Sequence, residues 1–305
     1  MKFFVDKFLI LISTFLFFGC GAFISNTKKT ELDTAELLMN ASVRLHWQLV
    51  SGGETLDQCG ATVIAKNNNK YEVLTALHCV GIYNVKTQKT TLFTTLLPIK
   101  FALVFEDSKT TLKKTVNANV IAYGDMAKFE DFAILEIEID HKINLPPIYK
   151  GNEPLKINEP LALVVAPLSE IGNLYLNAYV SKPSIKVEFV LDGVNKQGAV
   201  PIQVSGLGIG KGSSGSSVMS IKKNKIVGVV SMSSWNNQGH VTLMMCPISK
   251  FNIFYSRYKK GNSKIPNTSD ISDITSICEV NTEVCGKLLE DFQSLVNMQK
   301  NEHKL

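Results

Sequence analysis

No two cysteines in this chain have C-x-x-C spacing, and His78 is the one histidine with a cysteine close by. A zinc site of the usual kind needs such clusters, so no metal or other cofactor is expected. Charge of one sign is also scarce. Lys and Arg total 32 against 27 Asp and Glu, a formal net charge of +5. That excess is too mild and too scattered to indicate nucleic acid as a partner. The basic cluster Lys222-Lys223 with Lys225 reads as a solvated turn between two strands. Sequence repeats are absent. What remains is 305 residues, 45% hydrophobic and 19% charged, which suits one large β domain or two small ones.

Long apolar runs are missing from the body of the chain, and the one at the start has a different purpose. Lys2 and Lys7 precede Phe8 to Phe18, a run broken only by Ser13 and Thr14, and Gly19-Cys20 follows. This is the layout of a secretory signal over residues 1–19. Gly19-Cys20 resembles a bacterial lipobox, in which Cys20 is lipidated and becomes the mature N-terminus. Phe17 departs from that pattern, because a small aliphatic residue is usual there. Cleavage after Ala22 and an uncleaved anchor from Phe8 to Ile24 stay open, the latter at the short limit for crossing a bilayer. Each places the rest of the chain outside the cytoplasm, as a periplasmic or cell-surface lipoprotein or a secreted protein. Residues 20–40, polar and rich in Lys and Thr, read as a tether.

From Ala41 the pattern changes to short β-rich runs separated by turn residues. Val43 to Val50, Gly60 to Ala65, Tyr71 to Thr75, Val116 to Tyr123 and Phe132 to Ile137 stand out in the first half. Leu161 to Val165, Tyr175 to Val180, Ile185 to Leu191, Ile202 to Val204, Val218 to Ile221, Ile226 to Val230 and Val241 to Met245 follow. Many short strands with turns between them indicate a sandwich or a barrel. Asn67-Asn68-Asn69 marks a turn. The proline-rich stretch from Asp140 to Pro160 separates two halves, about residues 41–140 and 158–250. No helical periodicity of useful length lies between the strands. After residue 258 comes a polar linker. Thr282 to Gln299 then has Val284, Leu288, Leu289, Phe292, Leu295 and Val296 at the spacing of an amphipathic helix.

Three segments carry chemistry. They are Leu74-Thr75-Ala76-Leu77-His78-Cys79, Asp131-Phe132-Ala133-Ile134-Leu135, and Gly212-Ser213-Ser214-Gly215-Ser216-Ser217-Val218. A serine hydroxyl is a poor nucleophile unless a base lies within hydrogen-bond reach and a third group orients that base. The order His, Asp, Ser is one of those in which such a triad occurs. Asp131 opens an apolar strand, where an unpartnered carboxylate is costly. Glu130 beside it would point to the other side of an extended chain. Gly210, Gly212 and Gly215 also fit G-x-G-x-x-G, but no helical pattern follows and no acidic residue stands at the required distance. A P-loop fails as well, since Gly212 follows Lys211.

With those segments in place, residues 41 to about 258 resemble the chymotrypsin-like (trypsin-like) serine peptidases. His78 stands where the histidine of T-A-A-H-C stands, Asp131 where that of D-x-A-L-L stands, and Ser214 where the serine of G-D-S-G-G-P stands. The resemblance implies an all-β fold of two six-stranded antiparallel Greek-key barrels, followed here by a C-terminal helix. It implies peptide-bond hydrolysis on a protein or peptide substrate through an acyl-enzyme, with the N–H groups of Gly212 and Ser214 as the oxyanion hole. It further implies a Cys59–Cys79 disulfide, worth roughly 3 kcal/mol in the chain-entropy model. Cys278 with Cys285 is a weaker pair, for which Cys246 competes. Gly208 falls at the base of the specificity pocket, and Ser231, Met232 and Ser233 lie on the strand that lines it, with Ser231 within reach of Asp131. His240 reads as a strand-end residue.

This chain also departs from the pattern. Ser213 replaces the aspartate that pairs with a newly freed N-terminus in zymogen-type members, as in bacterial and HtrA-like members formed without that switch. Ser216 and Ser217 replace Gly and Pro. An uncharged Gly208 points to a small or uncharged side chain before the scissile bond. Two other classes stay open: a catalytically inactive trypsin-like fold that binds peptides or a partner, and an exported structural or adhesion protein.

Overall fold

The computed structural model describes residues 30–50, 55–84, 89–97, 99–106, 113–165, 173–182, 185–188, 195–204, 212–235 and 241–261. A helix over residues 30–41 (α1) comes first. The first half then runs β1 (Ser42–Leu49), β2 (Thr55–Asn67), β3 (Lys70–Thr75), a 3₁₀ turn at Leu77–Cys79, β4 (Gly81–Asn84), β5 (Lys89–Leu92), the single turn α2 (Phe93–Leu96), β6 (Ile99–Glu106), β7 (Lys113–Tyr123) and β8 (Ala133–Glu138). The second half runs β9 (Pro160–Val165), β10 (Leu174–Val180), β11 (Ile185–Glu188), β12 (Asn195–Val204), β13 (Ser217–Ser220), β14 (Lys225–Trp235), β15 (Val241–Pro247) and the helix α3 (Ile248–Lys259).

Each half closes into a six-stranded antiparallel barrel. In the first the order is β1-β2-β3-β8-β7-β6. In the second, β10-β9-β13-β14-β15-β12 is a continuous sheet, and β10 pairs with β12 to close it. β11 hangs on β12 outside the ring. Counting only ring strands in chain order, both barrels read 1-2-3-6-5-4, so one Greek-key path is used twice. Closure leaves no open edge in either ring. The two-stranded ribbon of β4 and β5 stands apart, directly after the 3₁₀ turn.

The strands form where the sequence alternates or turns force reversal. Asn68 between β2 and β3 and Asn224 between β13 and β14 both take positive φ, which asparagine tolerates. β6 was not among the expected strands. Residues 101 to 105 are all buried, so they show no alternation to read. The segment between the barrels, around residues 139–159, is irregular. It is held by Glu159, a buried carboxylate that accepts from Ser220 Oγ at 2.7 Å, Lys223 Nζ at 2.9 Å and the Lys156 N–H at 3.1 Å. Burial alone would raise its pKa, but these donors outweigh that and hold it below the usual value.

Two helices differ from the sequence expectation. Part of the expected tether is α1, in which Thr34, Leu38 and Ala41 are fully buried at helical spacing. Thr34 Oγ1 donates to Asn224 Oδ1 at 3.0 Å. The other is α3. It buries Ile248, Phe251 and Phe254, three residues apart, and just past its end comes Gly261, whose φ of 74° suits a left-handed cap. Its aromatic composition masked its helical period. The helix expected at Thr282 to Gln299 lies outside the described residues.

α3 follows the second barrel but packs on the first. Phe132 meets Phe251 edge-on at 5.4 Å and stacks with Phe254 at 6.4 Å between centroids. Arg257 pairs with Glu130, and Lys259 with Glu72. Tyr255 donates to Glu72 at 2.6 Å. The largest buried apolar cluster accordingly runs from the first barrel through Phe251 and Phe254 to Val229 and Cys246 of the second.

On β1, Arg44 pairs with Glu106, and His46 Nδ1 lies 3.2 Å from Thr55 Oγ1. Among the described residues no hydrogen bond is made by the buried His46 Nε2. Burial, together with the charges of Arg44 and Lys113, moves His46 down from 6.5 to about 4. The unfolded chain therefore binds the proton more readily than the fold does. This contribution to stability is complete above 6.5 and is lost as pH falls toward about 4. Urea midpoints measured downward through that window are expected to fall, and His46→Gln is expected to flatten the slope. An unchanged slope in the variant would contradict the assignment.

Candidate active site

β3 ends at Thr75, and the chain turns through Ala76 into the 3₁₀ turn that carries His78. Three contacts fix this turn. Cys79 is bonded to Cys59 on β2. Trp47 Nε1 on β1 donates to the Cys79 carbonyl at 2.8 Å. The His78 N–H donates to Asp131 Oδ1 at 3.1 Å. The His78 ring is one-third exposed, and its Nδ1 lies 2.8 Å from Asp131 Oδ2.

Asp131 has no exposed surface. Besides both His78 contacts it accepts a hydrogen bond from Ser231 Oγ. Ser231 sits where the pairing of β14 with β15 shifts register between Val230 and Met232. A bulge of this kind re-aims one side chain out of the alternation of the strand. Met232 is half-buried and Ser233 exposed on the same strand, paired with Met244 and Leu243.

The loop that delivers Asp131 is tightly wound. Phe129 is a buried, bulky residue with φ of 54°, a conformation such residues rarely adopt. The Phe132 N–H donates to the Glu130 carbonyl at 2.8 Å, which places Asp131 at the centre of a three-residue turn. The Cys246 thiol donates to the Phe129 carbonyl at 3.1 Å, and Lys250 Nζ donates to the Lys128 carbonyl at 2.7 Å. Glu130 turns away, accepting from the Asp125 N–H at 3.1 Å and from Arg257. The two adjacent carboxylates thus have separate partners.

Ser214 lies in the turn before β13. Gly212 and Gly215 take φ of 96° and 83°, which fold the turn sharply around it. The turn is docked on the first barrel. The Gly60 N–H donates to the Ser214 carbonyl at 2.7 Å, and Thr75 Oγ1 donates to the Gly60 carbonyl at 2.8 Å. The Gly215 N–H reaches Val230 O at 2.8 Å on the strand that carries Ser231. A short path therefore joins the pieces: the Ser214 carbonyl is hydrogen-bonded to Gly60, Gly60 follows Cys59, and Cys59 is bridged to Cys79 beside His78. Ser213 is buried, and its Oγ has no hydrogen-bond partner among the described residues. An ionised aspartate would need a cation there, and serine does not.

Among the described residues nothing accepts a hydrogen bond from the Gly212 or Ser214 N–H. No group of three or more His, Cys, Asp or Glu side chains among them is arranged to hold a metal ion. A cavity of about 300 Å³, lined by Tyr149, Leu155, Val200, Val227, Pro247 and Ile248 among others, contains none of these site residues. Gly208, Cys20, His240, Cys278 and Cys285 lie outside the described residues. Sequence reading did not find Gly60, Thr75, Arg257 or Phe129. Their roles depend on three-dimensional proximity, and even Thr75, inside the segment that carries His78, has no local sign of its contact with Gly60.

A solved structure of Deg5 matches this one with a TM-score of 0.54 and 13% sequence identity, covering 78% of this chain and 97% of that one. At such identity the likeness is one of fold. The chain has the double-barrel trypsin-like fold. No family model matches the sequence, and no curated protein matches it.

A methyl group on Gly215 would lie 2.2 Å from the Gly60 carbonyl oxygen and 2.3 Å from Thr75 Oγ1, at a φ that alanine resists. Gly215→Ala is therefore expected to push the Ser214 turn off the first barrel and to cost more than about 1 kcal/mol. The Gly60 amide, released from Ser214, should exchange its hydrogen faster. An unchanged exchange rate would mean that the turn is not held as described.

Proposed function

We propose that this protein is an exported serine endopeptidase that hydrolyses peptide bonds through Ser214, His78 and Asp131. The observation that carries the reading is the His78 Nδ1 to Asp131 Oδ2 contact at 2.8 Å, with the Ser214 turn docked on the strands that present His78. Asp131 accepts the Nδ1 proton and so fixes the tautomer, leaving Nε2 as the base. Ser214 Oγ attacks the substrate carbonyl as its proton passes to Nε2. The oxyanion that forms is stabilised by the N–H groups of Gly212 and Ser214. His78 then gives the proton to the departing amine, leaving an acyl-enzyme. Water, deprotonated by the same nitrogen, releases the acid and restores Ser214.

The Cys59–Cys79 disulfide supports an oxidising compartment, in keeping with the signal-like N-terminus. Gly19-Cys20 supports a lipid-anchored mature form held at the membrane surface. Ser213 supports activity without N-terminal trimming, since a serine hydroxyl cannot form the ion pair that would hold a new amine.

On a fluorogenic protein substrate, Ser214→Ala is expected to lower kcat by as much as ~10⁶-fold, and adding His78→Ala should cost little more, because such residues act as a unit. Independent multiplicative losses would contradict the roles, and unchanged turnover in Ser214→Ala would dismiss them. Cys20→Ser is expected to shift the protein out of the membrane fraction. If it does not, the lipid anchor is wrong.

A further inference from the structure

We propose that the end of the second barrel around the start of α1 is a membrane-facing surface that lies on an anionic phospholipid bilayer. The inference rests on the tethered reading above and gives it an orientation.

Among the described residues the exposed large hydrophobic side chains are Leu32, Val50, Ile157, Tyr179 and Ile253. Leu32, Ile157 and Tyr179 belong to segments that meet. Glu31, beside Leu32, accepts from Asn177 Nδ2 at 3.0 Å. Asn177 and Tyr179 share the outward face of β10, two residues apart and both exposed. Tyr179 pairs with Pro160, and the Asn158 N–H donates to Val180 O at 2.8 Å, which brings Ile157 to the same end of β10. The turn before β14 joins them, since the Ile221 N–H donates to Pro160 O at 3.2 Å and Asn224 accepts from Thr34.

The same segments carry lysines. Lys156, Lys182, Lys222 and Lys225 are exposed, while Lys223 is held by Glu159. The exposed acids of α1 are Asp33 and Glu36. Single exposed apolar side chains need no explanation, but several on adjoining segments among free cations mark an interaction surface. Apolar groups interleaved with lysine suit the interface of a bilayer, and each lysine brought to an anionic surface strengthens binding about fivefold.

The chain itself identifies the occupant. α1 emerges on this surface, and Cys20 precedes residue 30 by ten residues. Ten residues span at most roughly 35 Å when fully extended. A lipid on Cys20 therefore holds the start of α1 near the bilayer and brings this end of the molecule closest to it.

The test uses the full chain, purified from membranes and reconstituted in phosphatidylcholine vesicles containing phosphatidylglycerol with brominated acyl chains. Tryptophan is introduced at Ile157, and separately at Ile253 on α3 as an equally exposed control. Trp47 and Trp235 give a constant background. Bromine is expected to quench the added emission of Ile157→Trp and not that of Ile253→Trp. The triple change Lys156→Gln, Lys182→Gln and Lys222→Gln is expected to abolish most of that quenching. Equal quenching at both sites, or none at Ile157→Trp while the protein sediments with the vesicles, overturns the proposed surface and leaves the tether standing. The second of these results, with Ile157→Trp shielded only in native membranes, would assign the surface to a protein partner instead. A chain whose membrane fraction is unchanged by Cys20→Ser refutes the tether, whatever the quenching shows. Failure to sediment with the vesicles at all overturns both.

Discussion

A carboxylate with no exposed surface governs this structure. Asp131 is tolerable as an anion only because donors surround it, among them the His78 N–H, the His78 ring and Ser231 Oγ. Those donors come from both barrels, Ser231 from the second and His78 from the first. The two barrels are therefore joined at a charge that neither could bury alone. Losing any one donor would leave part of that charge unsatisfied, which usually costs more than a neutral hydrogen bond.

The backbone around Asp131 is strained, and the surrounding packing holds the strain in place. Phe129 keeps its positive φ because its ring is buried and its carbonyl accepts from Cys246. α3 secures the other side, with Phe251 and Phe254 against Phe132 and Arg257 on Glu130. A helix that starts on the second barrel thus braces a loop of the first. The Ser214 turn shows the same logic in reverse. It belongs to the second barrel, but its Ser214 carbonyl is fixed by Gly60 of the first. Each barrel holds a loop of the other, so the arrangement of His78, Asp131 and Ser214 depends on both being folded and docked.

Much of this was legible in the sequence, and the reasons are specific. The double barrel followed from short strands on either side of the stretch around Pro146 and Pro147. The turn at Asn68 was visible because asparagine accepts positive φ. β6 was hidden, because a strand buried on both faces loses its alternation. α3 was hidden by aromatic residues that read as β-formers, although they pack on Phe132 at helical spacing. α1 was read as spacer because its buried face is small, only Thr34, Leu38 and Ala41 being fully covered. At the site, the motifs pointed to His78, Asp131 and Ser214; the structure joins His78 to Asp131, and the likeness of fold to Deg5 does not decide the chemistry. Gly60 and Thr75 were not legible, since nothing local reveals that the Ser214 turn will land on them.

The central claim is that Ser214 is an activated nucleophile served by His78. The most direct measurement is the mass of the active-site peptide after treating the full chain with a fluorophosphonate, a reagent that phosphonylates activated serines and little else. The account requires a single adduct at Ser214, which disappears in His78→Ala although Ser214 is still present. No adduct on the native protein, or an adduct at Ser214 that forms equally well without His78, would contradict it.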